Sequence, residues 1–207
     1  MSSGAELAWQ GSLLDGDEPA ADATFGGLTR HQIDATAWVD HLAGWLSGAD
    51  VVFEQLLAAA DWQAHTRVMY GNVVDQPRLT ASWRKPARIR AAVPVIEEIR
   101  ALLSERYGVV FDTGGLNLYR DGRDSVAWHR DRIPKAIEDP LVAIVSVGHA
   151  RTFLARPRGG GRSTRFALGH GDLLVTGGTF QRTWEHAVPK VASAAGPRIS
   201  ITFRHSA

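Results

Sequence analysis

The chain has 207 residues, of which 44% are hydrophobic and 22% charged, and its formal net charge is +1. This length and composition are typical of one soluble globular domain, and the small net charge argues against a purely electrostatic nucleic-acid binder. The lack of cysteine excludes disulfides, thiolate zinc sites and cysteine nucleophiles. No apolar run approaches the ~20 residues of a membrane span and no secretory signal is visible, so we expect a cytoplasmic protein without a membrane partner.

The first half of the chain is predicted to be largely helical. Residues 1–25 are rich in small and acidic residues and are expected to form a flexible N-terminal arm. Trp38, Leu42, Trp45 and Leu46 recur at helical spacing and predict an amphipathic helix over 35–47. The further predictions are a short helix over 51–59, a strand at 66–71, an irregular segment over 72–83 and a longer helix from about Pro94 to Tyr107.

After Gly108 the sequence changes to short apolar runs separated by glycine and charged turns. The predicted strands cover 114–119, 125–129, 141–148, 151–156, 172–176, 184–188 and 198–204. Residues 156–165 (RPRGGGRSTR) are a flexible loop or hairpin tip. The expected fold is α+β, with a double-stranded β-helix (jelly roll) core over 111–207 that is braced by N-terminal helices. Residues 26–110 would form the helical, substrate-facing segment of the same domain.

The segment from Asn117 to Arg132 concentrates polar side chains among apolar residues. Four of them are odd-numbered, and alternate residues of a strand project to one face. The Asp-Gly at 121–122 is a hairpin or short-loop signal between two strands. We therefore expect four side chains to converge on one site: Asn117, Tyr119, His129 and Asp131.

His129 and Asp131 form an H-x-D pair, which on a strand or at its end projects imidazole and carboxylate the same way. Two histidines and one carboxylate on one face of a metal make the triad of non-haem Fe(II) oxygenases. The best second histidine is His186, on a predicted strand near the end of the β region. The competing candidates are His149, His170 and His205. Taken alone, an H-x-D pair is more often a surface histidine near a turn aspartate than a metal site.

The last predicted strand, RISITFR (198–204), alternates polar and apolar residues. Its even positions, which share one face, are Arg198, Ser200, Thr202 and Arg204. A buried strand that turns two arginines inward needs a ligand for them, because unpaired buried charge is costly. At ~3.3 Å per residue the arginines stand about 20 Å apart, and side chains leaning together could hold the two ends of a small dicarboxylate. The alternative is an exposed edge strand with a polar outer face.

The ordered set N-x-Y, H-x-D, a later histidine and R-x-x-x-x-x-R resembles the AlkB family of Fe(II)/2-oxoglutarate dioxygenases over about residues 115–204. The resemblance implies Fe(II), 2-oxoglutarate and O2 as cofactors, with ascorbate as reductant in vitro. It implies oxidative removal of N-methyl groups from bases in DNA or RNA, as in repair of DNA damage, with release of formaldehyde and succinate. The implied metal ligands are His129, Asp131 and His186. The implied 2-oxoglutarate residues are Asn117, Tyr119, Arg198, Ser200, Thr202 and Arg204, although many relatives have asparagine in place of Ser200.

Substrate contacts are expected at Tyr70, Arg78, Trp83, Trp128, Arg132 and Ile133. Tyr70 and Trp83 would form walls of the base pocket, although aromatic residues of strands are as often simply buried. DNA-repair relatives often carry a carboxylate where this chain has Ile133, which leaves the preferred base open. The expected substrate is alkylated single- or double-stranded nucleic acid, bound by a monomer. Two alternatives stay open: a hydroxylase of a small molecule or protein with the same cofactors, and a metal-binding barrel without turnover.

Overall fold

The structure, a computed structural model, describes residues 18–69, 72–82, 87–192 and 195–206. Its first part consists mainly of strands and contains one helix. These elements are β1 (Ala20–Ala21), β2 (Thr29–Gln32), β3 (Ala37–Leu42), β4 (Leu46–Ser47), α1 (Ala49–Ala59), β5 (Gln63–Met69) and β6 (Asn72–Ala81). Two helices follow, α2 (Ala87–Ala92) and α3 (Val95–Tyr107).

The second part is almost entirely β-structure. Its elements are β7 (Thr113–Tyr119), β8 (Val126–His129), β9 (Val142–Gly148), β10 (Arg151–Pro157), β11 (Thr164–Leu168), β12 (Asp172–Gly178), α4 (Phe180–Thr183), β13 (Trp184–Val188) and β14 (Arg198–Arg204). Among the described residues, no helix has the length and apolar character needed to span a membrane.

The strands form two main antiparallel sheets. The large sheet has eight strands in the order β2-β3-β12-β9-β14-β7-β6-β5, and the small sheet has four in the order β11-β10-β13-β8. Strands β1 and β4 pair separately. Consecutive strands such as β7 and β8 lie in different sheets, which is the pattern of a jelly roll.

Alternating side chains of the large sheet serve two cores. On one face, Val145 and Ile199 belong to the core that also contains Phe53 of α1 and Ile99 of α3. On the other face, Ile144 belongs to a second core that includes residues of the small sheet. The helices therefore brace the large sheet from outside, as predicted, and the space between the two sheets is left for a site.

The structure corrects two element predictions in the first half. The segment 35–47 is not a helix but contains strands β3 and β4. Trp38 and Leu42 are four residues apart, and this spacing also places them on the same side of a strand, where both pack against the helix-side core. The segment 72–83 is not irregular over its described part, because residues 72–81 form β6. Pro77 is tolerated there because the β5–β6 register shifts next to it.

Part of the predicted flexible arm is packed onto the fold. Strand β1 pairs with β4, and the buried ring of Phe25 stacks on Trp45 with 5.4 Å between centroids. The segments 26–110 and 111–207 are not separated in the large sheet. This sheet contains strands of the first segment (β2, β3, β5 and β6) as well as strands of the second. Strand β11 (Thr164–Leu168) is not among the predicted strands; it forms a hairpin with β10, which confirms the hairpin-tip alternative for the glycine-rich segment.

Candidate metal centre and adjoining cavity

A cavity of about 450 Å³ lies between the two sheets, and most of its lining residues come from four strands and the segment after β8. Strands β7 and β14 of the large sheet provide one wall, and β8 and β13 of the small sheet provide the opposite wall. All nine residues predicted to bind the metal or the cosubstrate line this cavity: Asn117, Tyr119, His129, Asp131, His186, Arg198, Ser200, Thr202 and Arg204. The even face of β14 is therefore interior, and the edge-strand alternative is wrong because β14 lies between β9 and β7.

The three predicted metal ligands lie together. Each of His129, Asp131 and His186 offers one ligand atom, and these atoms all lie within 4.8 Å of one another. The β8–β13 pairing places His129 directly opposite His186, with 4.2 Å between ring centroids. Asp131 follows two residues after His129, just past the end of β8. The pairing of two strands and the i, i+2 spacing thus produce the cluster.

The protonation states of the cluster suit a divalent metal. Nδ1 of His129 lies 2.9 Å from the carbonyl oxygen of Ala127, so Nδ1 is the donor of this hydrogen bond and Nε2 is the ring nitrogen left for a metal. Burial lowers the pKa of His186 to about 3, which keeps this imidazole neutral. Burial acts to raise the pKa of Asp131, but the guanidinium of Arg204, 2.7 Å from its Oδ1, and the two histidines together hold that pKa below its ordinary value. Neutral imidazoles and an ionised carboxylate are the donors that such a metal requires.

A buried polar chain supports Asp131 from behind. The backbone N–H of Asp131 donates to Oε1 of Gln181 at 3.0 Å, and Nε2 of Gln181 donates to Oγ1 of Thr176 at 3.2 Å. Gln181 is 2% exposed and Thr176 is fully buried. Sequence reasoning missed Gln181, because nothing in the local pattern of α4 marks it as an inward-facing residue.

Arg198 is a buried cation at the other end of the predicted cosubstrate pocket. It is 1% exposed, and its Nε donates to Oγ of Ser146 at 2.8 Å. Its buried Nη1 has no hydrogen-bond partner among the described residues. The ring of Tyr119 lies 5.2 Å from its guanidinium carbon. A buried donor of this kind suits a carboxylate group, so the residues present fit 2-oxoglutarate.

Arg204 lines the cavity at the end where the metal cluster lies. Its Nη2 is bound to Asp131, and it therefore supports a metal ligand directly. Asn117 faces Ser200 across the β7–β14 pairing, and its Oδ1 accepts a hydrogen bond of 2.9 Å from Nε of Arg78. The polar side chains of β7 and β14 thus meet in one layer between Arg198 and the metal cluster.

The predicted substrate residues divide into three groups. Arg78 and Arg132 line the cavity, together with Arg130, which was not predicted. Trp128 is half-buried outside the lining, with the guanidinium of Arg156 4.0 Å above its ring. Ile133 packs against the core between the sheets and is not part of the lining. The remaining two predicted residues, Tyr70 and Trp83, lie outside the described residues.

The three competing histidines do not approach the cluster. His149 is exposed. His170 accepts the backbone N–H of Gly148 at 2.8 Å and lies 3.1 Å from Asp50. His205 accepts the backbone N–H of Leu141 at 3.0 Å.

The Asp-Gly signal at 121–122 marks a short loop between the sheets and not a hairpin, because β7 and β8 do not pair. Arg151, which is 3% exposed, fixes this loop. Its guanidinium donates to the carbonyl oxygens of Asp121, Asp124 and Pro189, at 2.7 to 3.1 Å. The same guanidinium carbon lies 5.3 Å from the ring of Tyr119, so the loop and the cosubstrate wall are held together.

Comparisons with known proteins agree with this geometry. A family model described as the 2OG-Fe(II) oxygenase superfamily matches residues 41–204. Human alpha-ketoglutarate-dependent dioxygenase alkB homolog 3 is 33% identical over 174 residues, which are 75% of this chain and 61% of that protein. Human DNA oxidative demethylase ALKBH2 is 34% identical over 120 residues, 54% of this chain and 46% of that protein. The chain thus spans less than two thirds of the length of these curated relatives.

Solved structures resemble the fold at low sequence identity. OsALKBH1 has a TM-score of 0.58 and 14% identity, over 86% of this chain and all of that one. A prolyl hydroxylase of Trichoplax adhaerens, in complex with a hypoxia inducible factor peptide fragment, has a TM-score of 0.59 and 13% identity, over 81% and 83% of the two chains. The predicted jelly-roll fold and the predicted resemblance to the AlkB family are confirmed. Fe(II), 2-oxoglutarate and O2, the predicted cofactors, are those that this family implies.

Proposed function

The chain belongs to the 2OG-Fe(II) oxygenase superfamily, and on this premise we propose that it oxidatively removes N-alkyl groups, above all methyl, from bases in DNA or RNA. Each turnover would consume one 2-oxoglutarate and one O2, and would release succinate, CO2, formaldehyde and the repaired base. The observation that carries the proposal is the meeting, in one cavity, of a His-Asp-His cluster and a buried arginine with an unpartnered donor.

The roles of the residues follow from their positions. His129, Asp131 and His186 would hold Fe(II), which when bound with 2-oxoglutarate supplies the oxidation of a substrate C–H bond by O2. Arg198 would bind a carboxylate of 2-oxoglutarate through its unpartnered Nη1. Arg204 keeps Asp131 ionised and oriented. The polar groups that would position the cosubstrate between these two arginines are Asn117, Tyr119, Ser200 and Thr202.

Apolar side chains complete the cavity and limit the entry of water. Ile144 and Phe153 lie in the core between the sheets and also line the cavity. Phe153 stacks on the ring of His186 with 5.1 Å between centroids. A dry wall beside the metal cluster strengthens the electrostatic contacts inside and prevents side reactions of the oxidant with solvent.

The charge of the cavity supports a phosphate-bearing substrate. Arg78, Arg130 and Arg132 line it in addition to Arg198 and Arg204, whereas Asp131 is the one carboxylate among its described lining residues. The positive electrostatic potential of these arginines attracts polyanions, and it therefore favours nucleic acid over a neutral small molecule or a protein side chain as substrate. The human relatives named as an alkB homolog and as a DNA oxidative demethylase point in the same direction.

The test is a coupled assay. Purified protein receives Fe(II), ascorbate, 2-oxoglutarate and single- or double-stranded oligonucleotides with N-methylated bases, with unmethylated oligonucleotides as controls and His129→Ala as the blank. We expect formaldehyde and succinate to rise together with loss of the methyl mark. Succinate without formaldehyde would indicate the alternative hydroxylase. Neither product from iron-loaded protein would indicate the metal-binding barrel without turnover.

A further inference from the structure

Three arginines line the cavity without a carboxylate partner. Arg130 and Arg132 are exposed and flank Asp131, and Arg78 is half-buried on β6. Arg130 donates to the backbone carbonyl of Arg182 at 3.3 Å, and Arg78 donates to the amide oxygen of Asn117. None of the three forms a salt bridge with a described residue, so each keeps its charge available to a ligand.

The other charges of the cavity, counted together with bound Fe(II) and 2-oxoglutarate, leave a net charge of +1 and no net negative charge. Asp131 is already paired with Arg204. The two charges of Fe(II) match the two carboxylates of 2-oxoglutarate, and Arg198 serves the cosubstrate. The part of the cavity left for the substrate therefore carries the positive charge of the three unpaired arginines.

The backbone that follows Asp131 turns the side chains of Arg132 and Ile133 in different directions. Ile133 packs against the core between the sheets, while Arg132 lines the cavity. A guanidinium has only N–H donors and cannot accept a hydrogen bond. The side chain of Arg132 thus offers hydrogen-bond donors and no acceptor to a ligand in the cavity.

Alkylated bases differ in the two properties that such a cavity would sense. N1-methyladenine and N3-methylcytosine are cationic near neutral pH, because alkylation quaternises a ring nitrogen, and they present an exocyclic amino donor on C6 of adenine and on C4 of cytosine. N1-methylguanine and N3-methylthymine are neutral and present a carbonyl oxygen at the corresponding position, on C6 of guanine and on C4 of thymine. Unpaired arginines repel the first class and donate hydrogen bonds to the second.

We propose, resting on the dealkylase function proposed above, that this cavity selects neutral alkylated bases with a carbonyl group on C6 of the purine or C4 of the pyrimidine, and that Arg132 is the specificity-determining residue. For N1-methylguanine, one oxygen atom from O2 enters a methyl C–H bond, and the N–C bond then breaks. Formaldehyde leaves, the nitrogen keeps the electron pair and takes the hydroxyl proton, and 2-oxoglutarate is oxidised to succinate and CO2.

The test compares four single-stranded oligonucleotides that differ only in the modified base: N1-methylguanine, N3-methylthymine, N1-methyladenine and N3-methylcytosine. One unpaired charge near a charged base changes affinity roughly fivefold in a water-like medium, so we expect kcat/KM to favour the neutral pair by about tenfold or more. Arg132→Gln should reduce that preference about fivefold. The matched control is Arg165→Gln, an exposed arginine of β11 outside the cavity lining, which should leave the preference unchanged.

A binding measurement separates selection from turnover. Fluorescence anisotropy with Mn(II)-loaded protein and 2-oxoglutarate, without O2, should give the same order of affinities. Preferential turnover of the cationic pair would overturn the inference and leave the dealkylase function standing. An Arg132→Gln variant that keeps the wild-type preference would overturn the role of Arg132. No turnover of any of the four by iron-loaded protein would overturn the proposed function, and the inference with it.

Discussion

Replacing Gln181 with leucine removes the side chain that fixes the backbone of Asp131. In the native fold Oε1 of Gln181 accepts the Asp131 N–H at 3.0 Å, and Thr176 accepts from the other end of the amide. Leucine has a similar volume and no polar atoms, so it fills the space and leaves the Asp131 N–H without its partner.

The size of the effect follows from burial. A buried N–H that loses its hydrogen bond costs about 1–3 kcal/mol, and loss of a group that orients a metal ligand lowers metal affinity about 10–100-fold. Because Gln181 is 2% exposed, water does not readily replace its oxygen. We therefore expect Gln181→Leu to weaken metal binding about 10–100-fold and to reduce the stability of the metal-free protein modestly.

The assay is a titration of metal-free protein with Co(II), followed by visible absorption, alongside thermal unfolding of the metal-free form. Thr176→Val is the matched control, because it removes the far partner of Gln181 and keeps the contact with Asp131. It should lower the melting temperature comparably and weaken Co(II) binding much less. A Gln181→Leu protein that binds Co(II) as tightly as the wild type but melts earlier would show that Gln181 serves packing alone.

Three further predictions concern the cosubstrate pocket and the stability of the fold. Arg198→Met should weaken 2-oxoglutarate binding to Mn(II)-loaded protein by about 3 kcal/mol, roughly 100-fold, as measured by calorimetry. Arg198→Lys should bind with intermediate affinity. If Arg198→Met bound 2-oxoglutarate as tightly as the wild type, the role of Arg198 would be contradicted. Burial acts to raise the pKa of Asp172, but hydrogen bonds from His41 and two backbone N–H groups hold it below 3.8. The ionised carboxylate of Asp172 therefore stabilises the folded state fully above pH 3.8, and this stabilisation is lost as the pH falls through the lower pKa of the folded protein. Asp172→Asn should therefore melt at a lower temperature than the wild type at pH 7, and the difference in melting temperature should narrow below about pH 4. A persistent difference at pH 2 would refute this. Gly177→Ala places a Cβ against the indole of Trp38 and should cost about 1–3 kcal/mol in urea unfolding; an unchanged midpoint would show that Trp38 can move away.

Local periodicity was enough to predict most of the site. Arg198, Ser200, Thr202 and Arg204 point into the cavity because β14 is a regular strand, and its apolar positions enter the helix-side core. The same period of two brings Asn117 and Tyr119 to the same wall. Such features depend only on neighbouring residues, so the sequence specifies them directly.

Other features depend on distant parts of the chain or on irregular backbone. Arg132 lines the cavity and Ile133 does not, although the period of two would place Ile133 with His129 and Asp131. The reason is that β8 ends at His129, and beyond it the alternation no longer applies. Gln181 contacts Asp131 although the two residues are 50 positions apart in the sequence, and no local pattern predicts such a contact.

Strand β8 also has a consequence for how the protein opens. It is four residues long and lies at the edge of the small sheet, where β13 is its neighbour. A metal held by His129 and His186 would connect this edge strand to β13 as a crosslink, and its binding free energy would add to the local stability of β8. We therefore expect amide hydrogen exchange across β8 to slow markedly on metal binding, while exchange in β9 and β14 at the centre of the large sheet changes little. In the metal-free state this crosslink is lost, so we expect proteases to cleave near β8 more readily in protein without its metal than in metal-loaded protein.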